Sequence, residues 1–281
     1  MSLSPHVRMS RAVVAFLILC AAVSTGSAQS LDAGRKGYDT LLDLYVRDGY
    51  VYYRALKSDR SRLDAFVSAN ASAAVDKASR DEQLAFWINA YNAIVLQSII
   101  DRYPIQGKST EYPDRSVRQI PGVFERAPHR VGGRTLTLDQ IELNVLSTFR
   151  DPRVYFAIGR GAIGSGRLRS EAFTADLLDK QLAEAQMECA SRPECVEINK
   201  DDNTVSVSAI FSWREKDFAP AFADKAPDTF KARSPIERAA LAFVEAKLLT
   251  TEREFLQKNQ FKVSYLPFDW SLNDLTGRGD R

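Results

Sequence analysis

The chain has 281 residues, 45% of them hydrophobic and 26% charged, and its formal net charge is +2 at pH 7. This near-neutral balance provides no overall field to attract nucleic acid or an anionic membrane surface, so we expect no nucleic-acid partner. The length and the apolar fraction are sufficient for one domain with a sizeable core.

The first 28 residues are typical of an export signal. Arg8 and Arg11 form a positive start, residues 12–23 are apolar, and Ala28 ends a small-x-small cleavage motif. The apolar run is too short to cross a bilayer, and no later run is long enough. We therefore expect a periplasmic or secreted protein without a transmembrane segment after signal removal. Cys20 leaves lipidation as an alternative to ordinary cleavage after Ala28.

The part of the chain before the first hairpin is predicted to be mainly helical. Its first elements are a helix over 31–46, a strand over 50–53 and a helix over 61–68. Ser79 and Glu82 then form a capping box, which begins a longer helix that runs to Arg102 and ends before Pro104. This helix is apolar on nearly every side, so we expect it to be buried at the centre of the fold.

The remainder begins with a hairpin, because Gly132-Gly133 can adopt the positive φ of a tight turn. The predicted elements that follow are a helix over 141–146 after a second capping box, a strand over 153–158, a helix over 174–188, paired strands over 196–198 and 204–208, helices over 235–249 and 252–259, and a strand over 261–266. Strands and helices do not alternate regularly. The sequence therefore predicts an α+β fold: a helix-rich single domain, residues 29–281, with short, scattered antiparallel strands around a buried central helix.

Asn89 and Asn92 are two amides within this apolar helix. A buried amide without a partner is costly, so each must have a specific role. They lie near one face of the helix. Either they face a cleft, where they orient a ligand or stabilise an oxyanion, or they bond neighbouring backbone to the core.

A glycine-rich stretch, residues 159–169, follows the predicted strand and is called the glycine loop below. It contains a GxGxxG pattern, but no repeated strand-helix-strand unit surrounds it, which argues against a dinucleotide site. Its backbone amides and the guanidinium groups of Arg160, Arg167 and Arg169 would suit a carboxylate or phosphate. The alternative is a tight crossover loop with solvated arginines.

Cys189 and Cys195 enclose a turn that contains a proline. Export would expose them to an oxidising compartment, so we predict a disulfide bond between them. A free thiol or a metal site is the alternative, but no histidine lies nearby in the sequence. We therefore predict neither a metal site nor a cofactor.

Five sequence blocks follow in order over most of the chain: Gln83–Ala93, Leu136–Glu142, Asp151–Ala157, Ser208–Phe218 and Leu266–Asn273. Together they resemble the family known as domain of unknown function 547. The resemblance implies a common fold and relatedness rather than an activity, because the family name records none.

The resemblance also implies a departure from the family pattern. The family commonly has histidine where this chain has Tyr155, and cysteines where it has Arg160 and Ser165. It often has histidine or a polar residue in place of Leu143. A cysteine–histidine pair would suit thiolate chemistry, but neither residue type occurs in this block here. No thiol mechanism can therefore be transferred to this chain.

These observations favour an exported domain of uncharacterised function that binds a ligand and is non-catalytic or catalytically altered. Its cleft would lie between the central helix and the glycine loop and would prefer an anionic or amide-bearing group. The partner would be an unknown small molecule or a component of the cell envelope. The residues predicted to bind the ligand are Asn89, Asn92, Glu142, Tyr155, Arg160, Ser165 and Arg167.

The alternative function is a cell-envelope hydrolase or transferase that uses Ser165 or Glu142. A serine nucleophile needs a base, and His129, the one histidine after the predicted signal, lies beside the hairpin turn. Glu142 is a conceivable base, although it could instead pair with Arg153. The sequence leaves open whether the protein is an enzyme.

Overall fold

The computed structural model describes residues 34–245 and 247–276. The predicted export signal, with Cys20 and the cleavage motif at Ala28, lies outside the described residues. Among the described residues, no helix is both long enough and apolar enough to cross a bilayer.

Helices and short strands follow one another irregularly, which confirms the α+β class. The first elements are α1 (residues 34–45), β1 (Val46–Arg47), β2 (Tyr50–Val51), α2 (Tyr53–Ser58), α3 (Ser61–Asn70), α4 (Arg80–Arg102), β3 (His129–Val131), β4 (Arg134–Leu136), α5 (Leu138–Gln140) and α6 (Val154–Ala157). The later elements are α7 (Leu178–Ala190), β5 (Val196–Asn199), β6 (Thr204–Ser208), α8 (Ala209–Trp213), α9 (Glu215–Phe222), α10 (Pro235–Glu245), α11 (Thr250–Lys258) and β7 (Lys262–Leu266).

α4 is the buried central helix that the sequence predicts. It begins at the capping box: the Glu82 carboxylate accepts the Ser79 N–H at 2.8 Å, and the Ser79 hydroxyl accepts the Glu82 N–H at 3.3 Å. Its side chains from Leu84 to Ile100 are mostly buried, and they belong to a continuous hydrophobic core that includes residues from Tyr38 to Leu272. Because α4 contacts so many elements, its polar side chains determine how the loops around it are held.

The strands form three small sheets. The predicted pairs β3–β4 and β5–β6 are antiparallel. β1 and β2 also pair antiparallel, but the sequence analysis did not predict β1, because it placed Val46 at the end of the first helix. β7 pairs with β6 in parallel. The chain between β6 and β7 passes through α8 to α11, and a long helical crossover of this kind returns the chain in the same direction.

Two local predictions are wrong. Residues 153–158 are not a strand, because Val154–Ala157 form helix α6, and Tyr53 begins α2 instead of ending a strand. Both segments are short apolar runs, and periodicity alone does not distinguish a buried strand from a buried helical turn. The helix predicted over 141–146 is irregular, with a π-helical segment at Ile141–Val145 followed by a 3₁₀ turn at Leu146–Phe149.

The glycine loop lies against the segment 268–274, here called the C-terminal segment. Ile163 N–H donates to the Ser271 carbonyl at 2.9 Å, and Gly164 N–H donates to the Asp269 carbonyl at 2.9 Å. A Cβ on Gly164 would lie 2.7 Å from the Asp269 nitrogen, so only glycine permits this close approach. The pairing gives the loop a fixed backbone despite its many glycines.

The predicted disulfide between Cys189 and Cys195 is present, and it supports the same loop from the other side. The turn that it closes carries Arg192, whose guanidinium donates to the carbonyls of Ile163 at 2.9 Å and Ser165 at 3.1 Å. The cross-link therefore positions an arginine that bonds the main chain of the glycine loop.

Two glycine-to-alanine substitutions test this packing with opposite expected signs. A Cβ at Gly166 would lie 2.0 Å from the Phe156 carbonyl oxygen, so Gly166→Ala should lower the free energy of unfolding by at least about 2 kcal/mol. Gly37 lies within α1 with nothing within 4 Å of its Cβ position, so Gly37→Ala should raise it by about 0.5–1 kcal/mol. Urea denaturation measures the free energy of unfolding of both variants. A Gly166→Ala variant as stable as the wild type would contradict the close packing of Gly166 on the Phe156 carbonyl.

Candidate functional site

The two asparagines of α4 bond the main chain. The Asn89 Nδ2 donates to the Phe173 carbonyl at 2.8 Å, and its Oδ1 accepts the Phe173 N–H at 2.9 Å. The Asn92 Nδ2 donates to the Ala157 carbonyl at 3.2 Å, and its Oδ1 accepts the Gly159 N–H at 2.7 Å. The sequence left two roles open for these amides, and the bonds are those expected if the amides connect neighbouring backbone to the core. A ligand role for either side chain stays a prediction.

Removal of one of these amides should be costly. Asn89→Ala would leave the buried N–H and carbonyl of Phe173 without their partners, so we expect a loss of about 3 kcal/mol in the free energy of unfolding. Asn144→Ala is the matched control, since Asn144 is exposed, and it should change stability by less than about 0.5 kcal/mol. Equal effects in chemical denaturation would contradict the proposed role of Asn89.

Glu142 is at the centre of a buried cluster of charges, here called the ion-pair cluster, that also includes Arg160 and Arg214. Arg160 Nη2 donates to Glu142 Oε1 at 2.6 Å, and Arg214 binds the same oxygen through Nε at 3.1 Å and through Nη2. The Tyr91 hydroxyl donates to Oε2 at 3.3 Å. The side chains of Arg160 and Glu142 are only 4% and 5% exposed. Glu142 thus pairs with these two arginines, while Arg153 pairs with Asp151 and Asp179.

The π-helical segment Ile141–Val145 positions Glu142. An insertion of this type widens the helix locally, and such insertions occur frequently at functional sites. Ile141, Glu142 and Val145 are buried, whereas Leu143 and Asn144 are exposed. The carboxylate of Glu142 therefore faces inward, together with the apolar side chains of Ile141 and Val145.

The electrostatics of the cluster keep Glu142 ionised. Burial alone would raise the pKa of Glu142, but the charges of Arg160 and Arg214 and their hydrogen bonds outweigh it and lower the pKa below its ordinary value of 4.5. Two guanidinium groups face one carboxylate, so the cluster has a net charge of about +1. A carboxylate bound by two arginines is a weak proton acceptor, which limits any role of Glu142 as a base.

Tyr155 extends the cluster toward α9. Its hydroxyl donates to Asp217 Oδ2 at 2.8 Å, and the Arg214 guanidinium lies 5.0 Å from the centre of its ring. Burial, followed by the hydrogen bond to Asp217 and its charge, raises the pKa of Tyr155 well above its ordinary value. Tyr155 is therefore a neutral hydrogen-bond donor that orients its neighbours.

Ser165 and Arg167, the other predicted loop residues, have partners within the protein. The buried Ser165 Oγ accepts the Arg160 N–H at 3.0 Å. Arg167 forms an ion pair with Asp48, and Arg169 forms ion pairs with Glu171 and Glu184. Each loop arginine therefore has a carboxylate partner; the pair of Arg167 with Asp48 lies at the surface, whereas Arg160 is buried.

The structure brings Glu142, Tyr155 and Arg160 together, with Ser165 bonded to the backbone of Arg160. Arg167 points elsewhere, to Asp48. Sequence reasoning missed Arg214, because it lies 72 positions from Glu142 and no local spacing connects them. The signal available was the family-like block Ser208–Phe218, which contains it.

A second group of side chains, here called the aromatic cluster, consists of the rings of Tyr112, Trp213, Phe268 and Trp270. The ring of Phe268 lies 4.9 Å from that of Trp213 and 4.4 Å from that of Trp270, centre to centre. Tyr112 lies 6.1 Å from Trp270. Trp213 is 44% exposed and directly precedes Arg214 in the chain. The chain therefore passes directly from an exposed tryptophan of the aromatic cluster to the less buried arginine of the ion-pair cluster.

The described residues contain no group of three or more histidine, cysteine, aspartate or glutamate side chains arranged to hold a metal ion. The site is instead defined by guanidinium, carboxylate, phenol and indole groups. These can bind anions, hydroxyls and the apolar faces of rings.

The fold and the site define a helix-rich α+β domain organised around a buried arginine–glutamate cluster. Residues 75–188 match the model of the family described as "Protein of unknown function, DUF547". The match confirms the resemblance over this part of the chain, which contains α4, Glu142, Tyr155 and the glycine loop. No curated protein and no solved structure matches the chain.

The ion-pair cluster predicts a pH-dependent contribution to stability. Glu142→Gln would leave the buried guanidinium of Arg160 and the partly buried one of Arg214 without their carboxylate, so we expect a loss of about 3 kcal/mol in the free energy of unfolding at pH 7. Because folding lowers the pKa of Glu142, this contribution is present above pH 4.5 and is lost as the pH falls through the folded pKa.

The difference between the wild type and Glu142→Gln should therefore shrink in denaturation curves recorded below pH 4.5. Glu254→Gln is the control, since Glu254 is exposed, and it should follow the wild type at every pH. A difference that is independent of pH would contradict an ionised Glu142.

Proposed function

We propose that this chain is an exported ligand-binding domain in which catalysis is absent or altered, and that its site prefers an anionic group bound at Arg214. The observation that carries the proposal is the buried ion pair of Glu142 with Arg160 and Arg214. Arg160, one member of this ion pair, stands at a position where the family resemblance implies a reactive cysteine.

The groups needed for the alternative, a hydrolase or transferase, are already engaged. Glu142 is bound by two guanidinium groups, and the Ser165 Oγ accepts a backbone N–H. His129 is the one histidine among the described residues, and its buried Nε2 has no hydrogen-bond partner among them. A serine nucleophile needs a hydrogen-bonded base, and none of these contacts supplies one.

Arg214 is the arginine of the cluster that a ligand can reach. Its side chain is 17% exposed, compared with 4% for Arg160. Its hydrogen bonds within the described residues use Nε and Nη2, both toward Glu142. Nη1 forms no hydrogen bond with the described residues, and we assign it to a carboxylate or phosphate oxygen of the ligand, the partner that a guanidinium binds most strongly.

The test is a comparison of thermal unfolding in acetate, malonate, phosphate and chloride at constant ionic strength. A bound anion should raise the Tm of the wild type by about 5 °C at about 100 times its Kd. Arg214→Gln should abolish the rise while it leaves the pair of Arg160 and Glu142 intact. Arg169→Gln is the matched control, because its side chain is 14% exposed and also pairs with carboxylates, and it should keep the rise.

Two results would overturn the proposal. One is a wild type whose Tm no anion raises above its value in chloride, and the other is an equal loss of the rise in Arg214→Gln and Arg169→Gln. Turnover of an ester, amide or peptidoglycan-like substrate that Ser165→Ala or Glu142→Gln abolishes would favour the hydrolase or transferase instead.

A further inference from the structure

The aromatic cluster is a built surface rather than a chance exposure of rings. Its rings come from distant parts of the chain: Tyr112 precedes β3, Trp213 ends α8, and Phe268 and Trp270 follow β7. Rings that pack against one another and remain partly exposed form an apolar patch, and such patches on folded proteins commonly mark binding sites.

The backbone beneath the rings is rigid. Phe268 and Trp270 flank Asp269, whose carbonyl accepts the Gly164 N–H at 2.9 Å and whose carboxylate accepts the Ser271 N–H at 2.8 Å. The main chain also packs closely here, since a Cβ on Gly164 would lie 2.7 Å from the Asp269 nitrogen. A surface that is ordered before binding loses little conformational entropy when a ligand arrives.

The inner part of the surface already holds a cation. The Arg118 guanidinium lies 4.5 Å from the ring centre of Trp270, 4.9 Å from that of Phe124 and 5.9 Å from that of Tyr112, and it pairs with Glu125. A cationic ligand would have to displace this side chain. A ligand would instead reach the surface at Trp213, which is 44% exposed, and at the partly exposed Phe268.

Charged groups of both signs neighbour Trp213 in the chain or interact with its neighbour Arg214. Arg214 follows Trp213, and Asp139 lies within electrostatic range of both Arg118 and Arg214. Burial, together with the charges of Glu125 and Glu142, raises the pKa of Asp139, while the two arginines oppose that rise. A mixture of charges does not suit a nucleic acid, which binds to aromatic rings within a positively charged groove.

We propose that the aromatic cluster and Arg214 together bind a saccharide that carries a carboxylate. The C–H face of the pyranose ring would lie on Trp213 and Phe268, the carboxylate would bind Arg214, and the hydroxyls would bond polar groups such as Asp139. Aromatic faces next to a few convergent polar groups suit a ring that is apolar on its faces and polar at its edge. This inference rests on the proposed function, since it names the class of ligand for the same site.

The experiment compares three probes by calorimetry and tryptophan fluorescence: D-glucuronate, D-glucose, which lacks the acid, and acetate, which lacks the ring. The wild type should bind glucuronate at least tenfold more tightly than either of the others. Trp213→Ala should reduce glucuronate affinity to that of acetate and leave acetate binding unchanged, whereas Trp213→Phe should restore at least part of the loss. Arg214→Gln should reduce glucuronate affinity to that of glucose.

Tyr265→Ala is the matched control, because Tyr265 is an aromatic residue that is 42% exposed on β7 and lies outside the aromatic cluster, and it should bind glucuronate like the wild type. Equal affinity for acetate and glucuronate, or full glucuronate affinity in Trp213→Ala, would overturn the saccharide inference and leave the anion site intact. Failure of both glucuronate and acetate to bind the wild type would overturn the proposed function as well.

Discussion

Two carboxamides on one helix hold both ends of the segment on which the candidate site depends. Asn92 bonds the chain where it enters the glycine loop, at Ala157 and Gly159, and Asn89 bonds it after the loop, at Phe173. Each amide satisfies one N–H and one carbonyl that would otherwise be buried without partners. The loop between them is therefore attached to α4 at both ends. Arg160, which directly follows Gly159, owes its position next to Glu142 to this attachment.

The site that results combines a closed interior with an accessible edge. Inside, Glu142 is bonded by Arg160, Arg214 and Tyr91, which leaves it little freedom to transfer protons. At the edge, Arg214 and Trp213 are consecutive in the chain but make different contacts. Arg214 contacts Glu142 and the ring of Tyr155, whereas Trp213 packs in the aromatic cluster. A binding role agrees with this division, because recognition needs fixed charges and rings, whereas acid–base catalysis needs a group that can change its protonation state.

Local signals in the sequence were sufficient for much of the fold. The Ser79 capping box and the apolar run after it define α4, and the spacing of Cys189 and Cys195 predicts their disulfide. The sequence was less informative about contacts between residues that are far apart along the chain. The parallel pairing of β6 with β7 and the contact of Arg214 with Glu142 depend on how α8 to α11 fold back, which no short window contains. For Asn89 and Asn92, burial followed from the pattern, but the identity of their partners did not.

The C-terminal segment also reaches the beginning of the described chain. Asn273 accepts the Val51 N–H through its carbonyl at 2.9 Å and the Tyr53 hydroxyl through its side chain at 2.6 Å, while Asp274 accepts the Tyr103 hydroxyl at 2.7 Å. The same segment pairs with the glycine loop in the middle of the sequence. Until the ribosome has released these late residues, the early helices lack partners that they need. The contacts that complete the packing of the early helices are therefore long-range and form only after most of the chain has been synthesised.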